Sequence, residues 1–291
     1  MTFDEKGNVL REREPAWERA QAYLAFEVDR SAQKAGGDSV RETTQNHVFG
    51  ADNRLTPPNT TTYRPVVHLS TGCSGTYIGQ RTLLTAAHCV VSFSTAQVRL
   101  PITITPYRLG SGTTAPDSPY LNHTVSSPAQ IKVPNGYFAA IVASGGQYTG
   151  NVMPHDYAVI VFPAGASRPA PMVAAGYRPM YTNHNGSGVL TIAGYPGSGC
   201  PDSTKKPRIC AHSGGAAQNG AEFLLTQHID MSGGQSGGPW LNSSGSVVGI
   251  NIASVTYHDL LECGFDACLR NYARRIDTVA TVFVQAVSDD Y

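Results

Sequence analysis

The chain is short of charge. Only 14% of its 291 residues are Asp, Glu, Lys or Arg, and 21 basic residues are balanced by 21 acidic ones. Such a balance provides no basic stripe to displace counterions from phosphates, which excludes nucleic acid as a partner. No apolar run approaches the roughly 20 residues that span a bilayer, so no membrane partner is expected. Internal repeats and low-complexity tracts are missing. None of the six cysteines has C-x2-C spacing, and nothing groups the histidines as ligands, so no metal and no cofactor is expected. The opening "MTFDEKGNVL" carries early acids and lacks the apolar core of a signal peptide.

What is present suits a folded all-β chain. Hydrophobic residues make up 41%, enough for a core, and 30 glycines and 19 prolines supply turns. The cysteines fall into three close couples, Cys73 with Cys89, Cys200 with Cys210, and Cys263 with Cys268. Six cysteines allow about 15 pairings, so spacing alone does not fix connectivity. Short-loop disulfides within these couples are the expectation, and they imply an oxidising compartment. The chain is therefore expected to be secreted, with its export signal not contained in this sequence.

Composition breaks near residue 47. The first 47 residues hold 7 of the basic and 9 of the acidic residues. Within them Trp17, Ala20, Leu24 and Val28 recur at the spacing of an amphipathic helix, with Pro15 near its first turn. Residues 1–47 are thus either a helical extension of the main domain or a removable pro-segment. From residue 48 the texture is of short apolar runs such as "YRPVVHLS", "DYAVIVF" and "SVVGINIASV" between turn residues. These predict an antiparallel sandwich or barrel. A helical period returns only with Ile276, Val279, Phe283 and Val287, and Asp277 stands in its first turn.

The most unusual stretch is "HIDMSGGQSGGPW", residues 228–240. It reads either as a polar turn or as a nucleophile, Ser236, with small neighbours that admit a substrate. A serine hydroxyl needs a histidine to take its proton, and that histidine needs a carboxylate to fix its tautomer. His88 in "LLTAAHCV" follows two alanines at the end of a predicted strand, and Asp156 opens "HDYAVIVF". A developing negative charge on the attacked carbonyl needs fixed donors, for which the backbone N–H groups of Gly234 and Ser236 are the candidates.

The segments "TAAHC", "DYAVI" and "GGQSGGP", in that order, resemble the three catalytic segments of chymotrypsin-like serine peptidases. "FGADNRLTPPNTTTYRPVVHL", "LTIAGYPG" and "DMSGGQSGGPW" are similar to the glutamyl-endopeptidase branch, with gaps, from about residue 48 to the C-terminal helix. The resemblance implies two antiparallel six-stranded β-barrels, one over about 48–165 and the other over about 166–275. A C-terminal helix over about 276–288 and an N-terminal helical pro-segment over 1–47 complete the expected layout. It further implies a monomeric serine endopeptidase on protein or peptide substrates, with His88, Asp156 and Ser236 as its triad. In that branch the mature enzyme begins near the position of Val48.

Three departures qualify the resemblance. Gln235 stands where many relatives carry an Asp that pairs with a newly cut N-terminus, so that ion-pair switch is unavailable here. Glutamyl endopeptidases hold the substrate carboxylate with a threonine and a histidine, at whose positions this chain has Met231 and Asn251. Asp230 matches the acid by which trypsin-like enzymes select Arg or Lys, unless Arg274 or Arg275 neutralises it. A basic, an acidic and an apolar preference all stay open. The competing class is a catalytically silent homologue that binds a partner through the same cleft, although such proteins usually lose a triad member.

Overall fold

The computed structural model describes residues 48–93, 95–110, 118–120, 122–162, 174–204, 206–257 and 268–288. For 2–3, 9–10 and 41–43, and within the stated ranges for 255–257 and 268–269, it describes the backbone alone. The helix expected around Trp17–Val28 and the Cys263–Cys268 pair lie outside the described residues.

Near the N-terminus β1 (Thr2–Phe3) pairs with β2 (Val9–Leu10), and β3 (Arg41–Thr43) follows. The first large sheet contains β4 (Val66–Leu69), β5 (Cys73–Tyr77), β6 (Thr82–Thr85), β7 (Ile102–Pro106), β8 (His123–Val125), β9 (Ile131–Lys132) and β10 (Ala158–Val161). Its order is β8-β7-β4-β5-β6-β10-β9. The second contains β11 (Val189–Gly194), β12 (Cys210–Gly215), β13 (Ala217–Asn219), β14 (Phe223–Thr226), β15 (Pro239–Leu241), β16 (Val247–Tyr257) and β17 (Cys268–Arg275). Its order is β12-β11-β15-β16-β17-β14-β13, with β3 also paired to β16. Every strand pair is antiparallel.

The two curled antiparallel sheets agree with the expected fold, but they hold seven and eight strands instead of six each. The surplus consists of pieces such as β9 and β3, two and three residues long, too short for a period-2 pattern to register. Helices are few: the single turn α1 (Ala87–Val90), α2 (Asn135–Ala143) and α3 (Thr278–Val287). The C-terminal helix begins two residues later than the apolar period suggests. Asp277 caps it, its carboxylate accepting the Ala280 N–H at 2.8 Å, and an N-cap residue lies outside the helical turns.

Although α3 follows the second sheet in the chain, it packs against β10 of the first, in a core to which both sheets contribute. Phe283 and Val284 are fully buried there, and the Phe283 ring meets Tyr157 edge-on at 5.3 Å. Burying one such ring stabilises by about 1.5–3 kcal/mol. Arg274, at the end of β17, anchors the crossing. Its guanidinium pairs with Asp277 at 2.9 Å, donates to the Pro154 carbonyl at 2.5 Å, and lies over the Tyr157 ring. The turn that carries Pro154 and His155 to Asp156 is thereby held from beneath.

His155 sits in that turn at closest quarters with α2. A Cβ at Gly136 would overlap its imidazole, at 2.5 Å from Nδ1. Burial, assisted by the charge of Arg274, pushes the His155 pKa down to about 4. The folded protein therefore keeps this ring neutral, whereas the unfolded chain takes up a proton below about pH 6.5. Stability from this group is complete above pH 6.5 and is lost as pH falls from there towards 4. Denaturant unfolding at pH 7.5 and pH 5 is expected to differ by about 2 kcal/mol through His155. His155→Asn should flatten that dependence; an equally steep loss in the variant would show that other groups cause it.

Candidate active site

His88 lies in α1, directly after β6. Thr85 ends the strand, and Ala86 and Ala87, which lead from it to the imidazole, are fully buried. The disulfide Cys73–Cys89 ties the next residue to the start of β5. Asp156 precedes β10, which pairs with β6, and the register Ala158↔Thr85 brings the two ends together. Its carboxylate is fully buried and accepts three hydrogen bonds. Oδ1 takes the His88 backbone N–H at 3.0 Å; Oδ2 lies 2.7 Å from His88 Nδ1 and 2.7 Å from the donating Tyr148 hydroxyl. Because an ionised carboxylate has no proton to give, Nδ1 is the donor. The Nε2 lone pair of a neutral ring is then free to accept a proton. Phe93 stacks on the imidazole with an interplanar angle of 18°, and Tyr148 meets it edge-on.

Ser236 comes from the second half of the chain to lie beside Cys89, the residue after His88. Its carbonyl accepts the Ser74 N–H at 2.8 Å, and Cys89 Sγ lies 3.6 Å from the same oxygen. Gly234, Gly237 and Gly238 beside it are fixed by close approach. At Gly237, with φ +80°, a Cβ would collide with the Thr85 hydroxyl and the Ser74 carbonyl. At Gly234, with φ +99°, it would collide with the Tyr195 carbonyl. The reason for glycine at 234 is thus the chain's own backbone as well as a bend forbidden to L side chains. Gln235 N–H donates to the Ser232 carbonyl at 3.1 Å, while the N–H groups of Gly234 and Ser236 have no acceptor among the described residues. Two unpaired donors flank one that is paired, which is the pattern of an anion-binding bend.

The residues expected to set specificity are placed differently. Met231 is fully buried in the core of the second sheet with Leu190, Ile229 and Trp240. Asn251 is fully buried as well, its backbone paired with Gly237 and Gly238 and its Oδ1 3.4 Å from the Trp240 indole nitrogen. Asp230 accepts the Phe49 N–H at 2.8 Å and the Asn53 N–H at 2.9 Å. Its own N–H donates to His212 Nδ1 at 2.8 Å. With its lone pair so engaged, that nitrogen carries no proton, and its 3.3 Å approach to Asp230 Oδ2 is not an ion pair. Arg274 does not pair with Asp230, one of the two readings left open for that acid. It pairs with Asp277, three residues on, because β17 delivers it to the helix start.

The second described disulfide joins Cys200 and Cys210. Two contributors to the site carried no sequence signal. Tyr148 lies in an irregular loop, and its contacts with Asp156 and His88 mark it. Arg54 is buried beneath the serine loop, and the one hint was an arginine inside the resemblance segment "FGADNRLTPP".

The sequence profile of the trypsin-like peptidase domain matches residues 73–250, more than half of the chain. The glutamyl endopeptidase of Bacillus licheniformis is 31% identical over 205 residues, which is 68% of this chain and 56% of that relative. The chain thus spans little more than half the length of the curated relative it matches. Among solved structures, a Glu endopeptidase in complex with MPD superposes with a TM-score of 0.63 at 21% identity, covering 82% of this chain and 98% of that one. The protease Anisep from Arthrobacter nicotinovorans gives 0.52 at 17% identity, over 84% and 98%. At those identities the structures bear on the fold, which they share with this chain: two curled antiparallel sheets and a C-terminal helix. With the profile match, the curated relative and the fold in agreement, the chain belongs to the family of trypsin-like peptidase domains.

Proposed function

We propose that the chain is a serine endopeptidase in which His88, Asp156 and Ser236 act together on a peptide bond. The observation that carries the reading is the Asp156 carboxylate, buried and engaged by three donors, with His88 Nδ1 at 2.7 Å. Ser236 Oγ attacks the scissile carbonyl as His88 Nε2 accepts its proton, giving a tetrahedral intermediate and an imidazolium that Asp156 stabilises. The Gly234 and Ser236 N–H groups stabilise the oxyanion. His88 then gives the proton to the leaving amine. In deacylation His88 Nε2 takes a proton from water as that water attacks the acyl-enzyme, and returns it to Ser236 Oγ as the ester bond breaks and the carboxylic acid product leaves. Tyr148 supports the scheme as the second side-chain donor to Asp156.

Substrates are proteins or peptides in this reading. An extended chain added to a free strand edge gains affinity from backbone hydrogen bonds alone. The edge of β16 opposite β17 offers such a place. It is covered by β15 at Val247–Ile250 and by Gly237 and Gly238 at Asn251, so the edge beyond Asn251 runs on from the serine loop. Asp230 is already occupied by the segment 49–53, which favours a pocket whose selectivity does not rest on an ion pair with that acid. The two disulfides support a secreted location, where thiols are oxidised.

The leader fits the role of a removable segment, residues 1–47, preceding a peptidase domain over 48–291. The backbone of β3 pairs with Ser254–Thr256 on that same edge of β16. While attached, it competes with substrate for the strand.

Two outcomes are expected. On a peptide library, the chain beginning at Val48 should hydrolyse substrates, and Asp156→Asn should lower kcat by about 10,000-fold through the wrong histidine tautomer. Hydrolysis unchanged in that variant would remove His88 and Asp156 from the mechanism. The full-length chain should show a higher KM than the chain from Val48, and equal activity of the two would rule out inhibition by the leader.

A further inference from the structure

Gln235 leaves open how the oxyanion bend is held without the ion pair that an Asp at its position would make. The bend runs Ser232-Gly233-Gly234-Gln235, and its two glycines leave the backbone many alternatives unless it is held. Beneath it lies Arg54, 1% exposed. Its Nη1 donates to the Ser232 hydroxyl at 2.5 Å and to Gln235 Oε1 at 3.0 Å. The same Gln235 oxygen accepts the Ser232 backbone N–H at 2.9 Å, which closes the bend into a ring. Nη2 reaches Ser198 at 3.2 Å, on the loop whose Gly197 N–H donates to the Gly233 carbonyl at 2.7 Å. The buried charge is balanced by Asp52, which takes Nε at 2.8 Å and Nη2 at 2.5 Å. That contact also holds the Asp52 carboxyl below its ordinary pKa.

We propose that Arg54 is a positioning residue for the reaction: it clamps both ends of the bend so that the Gly234 and Ser236 N–H groups converge on one point. The proposal rests on the serine-endopeptidase reading. A guanidinium suits the task because it stays charged at any accessible pH and holds several acceptors in one rigid plane. Arg54 follows the segment whose Phe49 and Asn53 N–H groups Asp230 accepts. The chain after Val48 is therefore laced to the serine loop on both sides of Met231, at Asp230 and at Ser232 with Gln235. The function served elsewhere by a new N-terminus is met here by an internal cation, available without cleavage.

The test compares the chain from Val48 with Arg54→Lys, Arg54→Met and Asp52→Asn, each scored for folded fraction by circular dichroism. The readouts are kcat, KM and inhibition by a peptide aldehyde, whose adduct with Ser236 places an oxygen at the bend. Lysine keeps the charge but lacks the planar fork. Folded Arg54→Lys should lose about 100-fold in kcat, the scale of a small misplacement, with KM within about threefold. Aldehyde inhibition should weaken in parallel, since both depend on the same donors. Arg54→Met should be at least as impaired. Folded Arg54→Lys with kcat and aldehyde affinity within about threefold of the parent would overturn the proposal. If neither Arg54 variant folds, Asp52→Asn decides, because Asp52 is partly exposed and its loss only loosens the guanidinium. A selective fall in kcat there supports the clamp, and an unchanged kcat overturns it. A parent chain that folds but neither cleaves peptides nor binds the aldehyde would instead refute the endopeptidase reading itself.

Discussion

The site depends on one buried serine, Ser74, which stands where the two sheets meet. Its N–H donates to the Ser236 carbonyl and its carbonyl accepts the Thr85 hydroxyl. Its Oγ accepts the Tyr195 N–H and donates to the Gly234 carbonyl, each at 2.8 Å. Thr85 leads to His88, Tyr195 directly follows β11 of the second sheet, and Gly234 and Ser236 form the serine loop. Every polar group of Ser74 is therefore engaged, in a place with no exposure to water. Leaving any of these partners unpaired there would cost about 1–3 kcal/mol. A residue that was not singled out from the sequence thus joins the three segments that were.

Legibility followed locality. His88 and Asp156 stood out because each sits at the end of a short strand, in segments that resemble catalytic ones, and strand patterns are visible in a few residues; the pairing of β6 with β10 then brings those ends together. Ser236 stood out through its glycines, and close approach at Gly234 and Gly237 explains why no other residue serves. The C-terminal helix was readable from its apolar period, and only its start shifted, to the cap at Asp277. Asp230, Met231 and Asn251 were less legible because their roles depend on what lies opposite them. Asp230 faces backbone donors from residues 49 and 53, some 180 positions away. Tyr148 and Arg54 were invisible for the same reason. An irregular loop and a buried arginine have no period, and only the folded chain supplies their partners.

A common physical thread runs through the buried charges. Asp156, Asp230, Arg54 and Arg274 are all nearly or wholly shielded from solvent. Each is surrounded by hydrogen-bonding partners, as burial requires. Arg274 holds the turn before Asp156, Asp230 and Arg54 hold the segment after Val48, and Asp156 holds His88. Removing one partner from such a set leaves an uncompensated charge, so these groups rigidify the site more than they add to net stability. Rigidity is what a preorganised anion-binding bend needs, since the donors must be in place before charge develops.

The account stands on Ser236 being a nucleophile activated by His88. The most direct measurement is mass spectrometry of the folded chain beginning at Val48 after treatment with a fluorophosphonate. The account predicts a single covalent adduct that maps to Ser236 and is abolished in His88→Ala. A folded chain that forms no adduct, or is labelled at another residue, would contradict it and leave the fold as the frame of a binding protein.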